Sequence, residues 1–448
     1  MITIKYARPF IMIESIVFRI IACRNQVFIL IWHLHFVGTD TEQQEMKAFN
    51  GFCKSMSDTA LTTDNRAISR FYMTVVLLLA FTAGFNKVYG QQSVPLKHIS
   101  YPKAEYNTAQ VILMHTPGNE TVVTRSYGTN NLATKQEEHL QLMDVLRQNH
   151  IKVFELTDVL MTIPTDSLKK MVSNPPLTPP DGSGTTIDNK WEKADIIQYI
   201  IEHPPLRGLY YTRDQSITTP RGEVICKMFA AHRNPEPGIL EQCYQYLGAK
   251  VFYKINGRMA KLEGGDYIPF CTLSFIGEGL RTNRFAIEEL MQADAIGHDT
   301  LVVVKDGLRK GQQMHLDTYF NIIDKDLVVL SATRLNAHQG ERAFISADVY
   351  TRKPGETTYH LDARNISFTE FLTNRGIKII PVSDPDIYRL ACNFICIGPH
   401  HIIAREGLSE DFKQSLKENK VQTEWVKIDE LVKGGGGIHC LTQVISRK

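Results

Sequence analysis

Six polar residues spread between positions 214 and 440 have the side-chain types that one reaction would need. They are Asp214 in Thr212-Arg213-Asp214, Glu263 and Asp266 in Glu263-Gly264-Gly265-Asp266, His315 and Asp317 in His315-Leu316-Asp317, and Cys440, which follows the glycine run Gly434 to Gly437. A thiolate is a strong nucleophile, and a neighbouring imidazolium lowers its pKa. A histidine such as His315 can protonate a leaving group and then activate water. Two inward-facing carboxylates match the fork of a guanidinium in paired hydrogen bonds. The set therefore suits attack by Cys440 on the electron-poor carbon of a bound guanidinium. The glycines would let the backbone at Cys440 approach that flat cation closely, where a Cβ would clash.

Each signal alone has a plainer reading. A His-x-Asp is most often a hydrogen-bonded packing histidine, Glu-Gly-Gly-Asp a tight turn, and Thr-Arg-Asp a helix start or a surface ion pair. A cysteine near a terminus is commonly a buried thiol, and Cys226, Cys243 and Cys271 are read that way. A glycine run can be a flexible linker, but "HCLTQVIS" resumes as an apolar strand immediately after this one. The weight lies in the ordered set.

Positioning such a set requires elements that converge. From Ile99 onward, strands and helices alternate. Val111 to His115 and Val153 to Leu156 read as strands, and Thr134 with Glu137 between them as a capping box opening a helix. "GLYYTRD", "LEGGDYIPF", "MHLDTYFNIIDKDLVVL" and "CNFICIGPHHIIA" read as strands or strand pairs with polar residues at one end; Asp324 to Asp326 turns a hairpin. Helices are expected over Gly238 to Leu247, Arg284 to Gln292 and Asp411 to Glu418. The Pro/Gly/Ser-rich stretch around 165–207, with one helix near Ala194 to Ile201, reads as a surface insertion and a candidate lid. Repeated strand–helix units with polar strand ends indicate an α/β domain with a single site.

Composition narrows the class. The 448 residues are 43% hydrophobic and 22% charged, ample for a large core. A net charge of +2 gives no reason to expect nucleic acid or an acidic membrane as partner. The eight cysteines include no CxxC and no zinc-type Cys/His spacing, so neither a metal centre nor a disulfide framework is expected; Cys392 and Cys396 lie in an apolar run. The first ninety residues differ from the rest. Residues 10–35 are apolar, but Glu14, Arg19 and Arg24 interrupt them too often for a membrane span. Arg66 and Arg70, the apolar run Val75 to Phe85, and Gly90 have the anatomy of a signal peptide over 73–90, with translation starting at Met56 or Met73. An N-terminal anchor helix is the alternative. The expectation is a non-globular extension over 1–90 and one catalytic domain over 91–448, working in the periplasm or outside the cell if the signal is real and in the cytoplasm otherwise.

The series "LYYTRD", "LEGGD", "GLRTN", "MHLDTYF", "GGGGIHC", together with "VILMHTPGNE", resembles the arginine deiminase family within the guanidino-group-modifying superfamily, over roughly 99–448. The resemblance implies a five-bladed α/β propeller of ββαβ units around a central pocket, with no metal or organic cofactor. It implies Cys440 as nucleophile, His315 as acid and then base, Glu263 orienting His315, and Asp214 and Asp317 clamping the guanidinium. Arg233 and Arg281 fall where the family binds the substrate carboxylate, and Tyr211, Asp266 and Asn393 complete the expected substrate shell. The chain departs from the family at Gly435, where an arginine is common, and at Gly208, where an asparagine is common. The implied reaction is arginine to citrulline and ammonia. Agmatine or peptidyl-arginine as substrate, amidino transfer to an amine, and a non-catalytic binding protein are the alternatives. The expected partner is a small guanidine, with homo-oligomerisation left open and no membrane for the mature chain.

Overall fold

The computed structural model describes residues 2–8, 11–23, 26–36, 96, 98–122, 131–172 and 191–448. The chain divides into two compact units, Met1–Gln92 and Ser93–Lys448. In the first, β1 (Ile2–Arg8), β2 (Ile11–Cys23) and β3 (Gln26–Phe36) form an antiparallel sheet in that order. The segment read as a signal peptide, 73–90, lies outside the described residues. Among those described, no helix is long and apolar enough to cross a membrane.

The second unit opens with β4 (Ala109–Met114), α1 (Leu132–Gln148) and β5 (Lys152–Glu155). Three helices follow: α2 (Leu156–Thr162), α3 (Thr165–Val172) and α4 (Lys193–Glu202). Next come β6 (Ser216–Thr219), β7 (Gly222–Ile225), α5 (Glu236–Leu247) and β8 (Val251–Lys254). The order recurs as β9 (Tyr267–Phe270), β10 (Leu273–Glu278), α6 (Arg284–Gln292) and β11 (Thr300–Asp306). The hairpin β12 (Phe320–Asp324) and β13 (Leu327–Ser331) is followed by β14 (Ile345–Thr351), β15 (His360–Ser367), α7 (Phe368–Thr373) and β16 (Lys378–Val382). Finally come β17 (Ile395–Gly398), β18 (His401–Arg405), α8 (Glu410–Glu418), β19 (Gln422–Val426) and β20 (Gln443–Arg447).

One pairing rule runs through this list. Two strands pair antiparallel, a helix follows, and a third strand returns parallel to the second: β6-β7-β8, β9-β10-β11, β12-β13-β16 and β17-β18-β19. A fifth sheet, β20-β4-β5, is built from both ends of the unit: β20 pairs antiparallel with β4, and β5 returns parallel after α1. The second unit is thus five ββαβ modules. The hairpin β14–β15, inserted in the third, pairs with β11 and widens the second sheet to five strands. The middle strands are largely buried, and so is β11, the one returning strand that the inserted hairpin pairs with: Leu301 to Val304 have no exposed surface.

Local sequence explains most boundaries. α1 is capped by Asn131, whose side chain accepts from Thr134 N at 3.2 Å. Thr134 therefore sits inside the first turn, and the capping box expected there gives way to a stronger N-cap three residues earlier. α5 begins at Glu236 rather than Gly238, since Pro237 is tolerated in a first turn. α4 buries Ile196, Ile197, Ile200 and Ile201 in one cluster with Leu160, Leu168, Leu240 and Tyr244. The described parts of the 165–207 stretch are thus packed as core helices; residues 173–190 lie outside the described residues.

One difference from the sequence reading matters for the site. "GLYYTRD", expected as a strand, is a chain of turns, and the strand begins only at Ser216. Thr212 spends its hydroxyl between the carbonyls of Leu113 and Leu441, both at 3.1 Å, and this tertiary anchoring overrides the β-propensity of Tyr210 and Tyr211. The same arrangement holds in every module. The residues just before β6, β9, β12, β17 and β20 are turns, and they carry Asp214, Glu263 with Asp266, His315 with Asp317, Asn393, and Cys440.

Candidate active site

These turns meet. Cys440 is 4% exposed, His315 3%, Asp214 4%, and Glu263 and Asp317 are fully buried. His315 Nε2 donates to Glu263 Oε2 at 2.8 Å, and its Nδ1 lies 3.9 Å from Asp214 Oδ1. Gly265 makes room for the ring: a Cβ there would stand 2.8 Å from His315 Nδ1 and 3.0 Å from Asp317 Oδ1. The Cys440 sulfur lies 3.8 Å from Asp317 Oδ2 and accepts from Asn393 Nδ2 at 3.2 Å. Asn393 Oδ1 in turn accepts from the backbone N–H of Gly437 at 3.0 Å and of Cys440 at 3.1 Å.

The electrostatics follow from burial and these partners. Burial, then the Asp317 carboxylate, pushes the Cys440 thiol up to about 12. Burial works against the charge on His315, but Asp214, the Cys440 sulfur, Glu263 and Asp266 outweigh it and hold the imidazole well above its ordinary value. Glu263 is buried too, yet its bond to His315 and the charges of His315, Arg233 and Arg281 hold it down to about 2. Both shifts favour a neutral thiol beside an imidazolium at rest.

Among the described residues, five buried carboxylate oxygens lack a hydrogen-bond partner; three belong to this cluster, Asp214 Oδ1, Asp317 Oδ1 and Asp266 Oδ2, and the first two are on the carboxylates nearest His315 and Cys440. The opposite oxygens are taken, Asp214 Oδ2 by Arg233 Nη1 and Asp317 Oδ2 by His439 Nδ1, each at 2.8 Å. A buried anionic acceptor without a donor is costly, so this pair calls for a cation with N–H groups between them.

The remaining expected residues have other duties. Asp266 Oδ1 accepts from Leu316 N at 2.9 Å and so braces the turn that carries His315 and Asp317; burial raises its carboxyl to about 7. Tyr211 accepts from Gly436 N at 3.0 Å and donates to Leu431 O at 3.1 Å, fixing the glycine run. A Cβ on Gly436 would lie 2.7 Å from Tyr211 Cε1 and 2.9 Å from Cys440 Cβ. The close approach that the glycines allow is thus to Tyr211 and the nucleophile's own turn. Arg281 Nη1 lies 3.4 Å from Glu263 Oε1, under the ring of Phe229 at 5.6 Å. Arg233 is bonded to Asp214, Glu236 and the Gly208 carbonyl.

Sequence reasoning missed His439 and Glu105. His439 is fully buried, bonded to Asp317 and 3.4 Å from Glu105 Oε1 through Nε2. Glu105 is paired with Arg447 and lies 3.8 Å from Arg213 Nη2, and although burial opposes its charge these cations hold it down to about 2. His439 stood in the glycine–cysteine motif, but its partner Asp317 is far away in sequence. Glu105 had no motif to mark it.

Known proteins are similar to this chain in sequence and in fold. The chain is similar to an arginine deiminase of Halobacterium salinarum, 27% identical over 322 residues, covering 54% of this chain and 65% of that protein. It is also similar to that of Borreliella afzelii, 23% identical over 410 residues, covering 77% and 97%. Among solved structures, DDAH from Pseudomonas aeruginosa in complex with citrulline aligns with a TM-score of 0.50 at 16% identity, over 76% of this chain and all of that one. The N-terminal domain of ArgZ, a cyanobacterial arginine dihydrolase, aligns with a TM-score of 0.50 at 16% identity, over 75% and 98%. These structures share the mixed α/β fold. The arginine deiminase family model matches residues 184–447, more than half of the chain, and by that match the chain belongs to the arginine deiminase family.

Proposed function

We propose that the protein hydrolyses the guanidino group of arginine to citrulline and ammonia through a covalent amidino–Cys440 intermediate. The observation that carries this reading is the pair of unpartnered buried oxygens, Asp214 Oδ1 and Asp317 Oδ1, beside Cys440 and His315. A guanidinium satisfies both with its N–H groups and brings a positive charge next to Asp317, the carboxylate that opposes ionisation of the thiol. Binding therefore favours loss of the thiol proton to solvent, and the resulting thiolate attacks the guanidinium carbon. The imidazolium of His315, steadied by Glu263, protonates the departing nitrogen, and ammonia leaves. The neutral imidazole then takes a proton from water as the water attacks the amidino carbon. Collapse of that adduct expels the Cys440 thiolate, and the ureido product forms. The curated relatives are named arginine deiminases, which supports the same chemistry here.

The same reading makes the five modules a five-bladed propeller whose module-opening turns surround the pocket, supported by the contribution of one such turn from each sheet. Arg281, with a side chain 23% exposed, is the cation assigned to the substrate carboxylate. One observation favours a second substrate. Gly435 has φ 100°, a conformation strained for any side chain, so this backbone disfavours the arginine common at this position. Agmatine, which has no carboxylate, would lose nothing by that absence. The test is release of ammonia and ureido product by residues 91–448 from arginine and from agmatine, with Cys440→Ala as control. Release from arginine, lost in the variant, supports the reading; no ureido product from either overturns it. Export rests on the signal-like segment 73–90, and sequencing the N-terminus of the protein from its native cells tests it.

A further inference from the structure

We infer that Arg233 is a positioning residue that fixes Asp214, and that residue 208 is glycine because the Arg233 guanidinium occupies the space a side chain would need. The inference rests on the guanidinium clamp proposed above. Arg233 donates from Nη1 to Asp214 Oδ2 at 2.8 Å, from Nε to Glu236 Oε2 at 2.9 Å, and from Nη2 to the Gly208 carbonyl at 3.0 Å. The seat is built from both sides. Glu236, fully buried, accepts from Gly208 N at 3.0 Å, and Gln215 Nε2 donates both to Glu236 Oε2 at 2.8 Å and to Gly208 O at 3.0 Å. A Cβ at position 208 would lie 2.3 Å from Arg233 Nε and 2.5 Å from both Cζ and Nη2. These atoms are the bonded head of the side chain, so it cannot shift without giving up its partners. The site holds either a side chain at 208 or Arg233 in this seat.

The consequence reaches the substrate. To bind a substrate carboxylate, Arg233 would give up three bonds and leave Asp214 Oδ2 without a donor, and the buried Glu236 would lose its counter-charge although Gly208 N and Gln215 still donate to it. Its charge instead neutralises Glu236 and one edge of Asp214, turning the free oxygen, Oδ1, toward His315 and the guanidinium position. Arg233 thus acts on the guanidinium end of every substrate, whatever that substrate carries at its other end.

The test uses two ligands on the full chain. Arginine has a carboxylate; 2-chloroacetamidine, an alkylating amidinium, has none and reports clamp binding through the saturable rate of Cys440 modification. The variants are Arg233→Met, Gly208→Ala and Glu236→Gln, each checked for wild-type folding by circular dichroism. If Arg233 positions Asp214, all three raise the half-saturation constant for the amidinium, by about tenfold for Arg233→Met, and raise KM for arginine by the same factor. The proposal is overturned if Arg233→Met weakens arginine alone, or if Gly208→Ala or Glu236→Gln leaves the amidinium unchanged while improving KM for arginine, since a released Arg233 would then be a carboxylate ligand. A wild-type chain alkylated with saturation at Cys440 that forms no ureido product would sink the hydrolase reading and leave the Arg233 comparison intact. A wild-type thiol that the amidinium never modifies would overturn both.

Discussion

Asn393 is the residue whose replacement best separates placement of the nucleophile from its electrostatics. Its oxygen holds two backbone N–H groups of the nucleophile's turn, and its nitrogen donates to the Cys440 sulfur at 3.2 Å. Asn393→Ala leaves both buried N–H groups without an acceptor, at a cost of roughly 1–3 kcal/mol each. Stability should fall by about 2–6 kcal/mol, which lowers Tm by roughly 3–8 °C for a unit of this size. Asn393→Asp keeps the shape and the acceptor for those two N–H groups, so it avoids that loss, and its remaining cost in stability is that of burying a carboxyl whose second oxygen has no donor. It replaces the donor on sulfur by a negative charge. Two unit charges 4 Å apart interact by about 4 kcal/mol at an effective dielectric constant near 20. The new carboxyl relieves part of that repulsion by taking up a proton. The thiolate should therefore be depleted about 100-fold, and the alkylation rate of Cys440 by chloroacetamidine should fall by a similar factor. Chemical denaturation measures the first quantity and inactivation kinetics the second. An Asn393→Asp protein that reacts as fast as the wild type would refute the claim that charge around the sulfur controls its ionisation.

Three further expectations concern the same cluster. With the Cys440 thiol at about 12 and no substrate present, alkylation by uncharged iodoacetamide should keep rising with pH through the alkaline range; a plateau below pH 9 would mean a free thiolate at rest. Glu263 is held down to about 2 when folded, against 4.5 ordinarily, so its contribution to stability is complete above pH 4.5 and is lost as pH falls toward 2. Glu263→Gln should flatten acid unfolding across that window, and it should cut kcat by about 100-fold because the imidazolium loses its anionic partner; unchanged acid unfolding would show that the pair does not bear on folding. Gly436→Ala places a methyl 2.7 Å from Tyr211 and 2.9 Å from Cys440 Cβ, so it should destabilise by about 1–3 kcal/mol and slow alkylation; a silent substitution would show that the turn has slack.

The way the turns combine explains what could be read from the sequence and what could not. Cys440, His315, Glu263, Asp214 and Asp317 were legible because each is a reactive side chain just ahead of a buried strand, and the ββαβ repeat places that position at the same end of every sheet. Glycines flanking the acids were legible as turns for the same reason. Residues that act only through a distant partner carried no such mark. His439 is an ordinary histidine until Asp317 is found 2.8 Å away, and Glu105 is an ordinary glutamate until it meets Arg447 and His439. The inserted β14–β15 hairpin was equally silent, because its pairing with β11 depends on an edge that only the folded second sheet offers. Gly208 shows the limit most clearly. From sequence it is a lost anchor, a place where an asparagine is missing. In the fold it is the vacancy into which Arg233 lies, so one departure from the family is the reason a second residue keeps its place. A substitution read as a loss on one residue is then a change of partner for another, and restoring the asparagine should cost this chain its grip on Asp214.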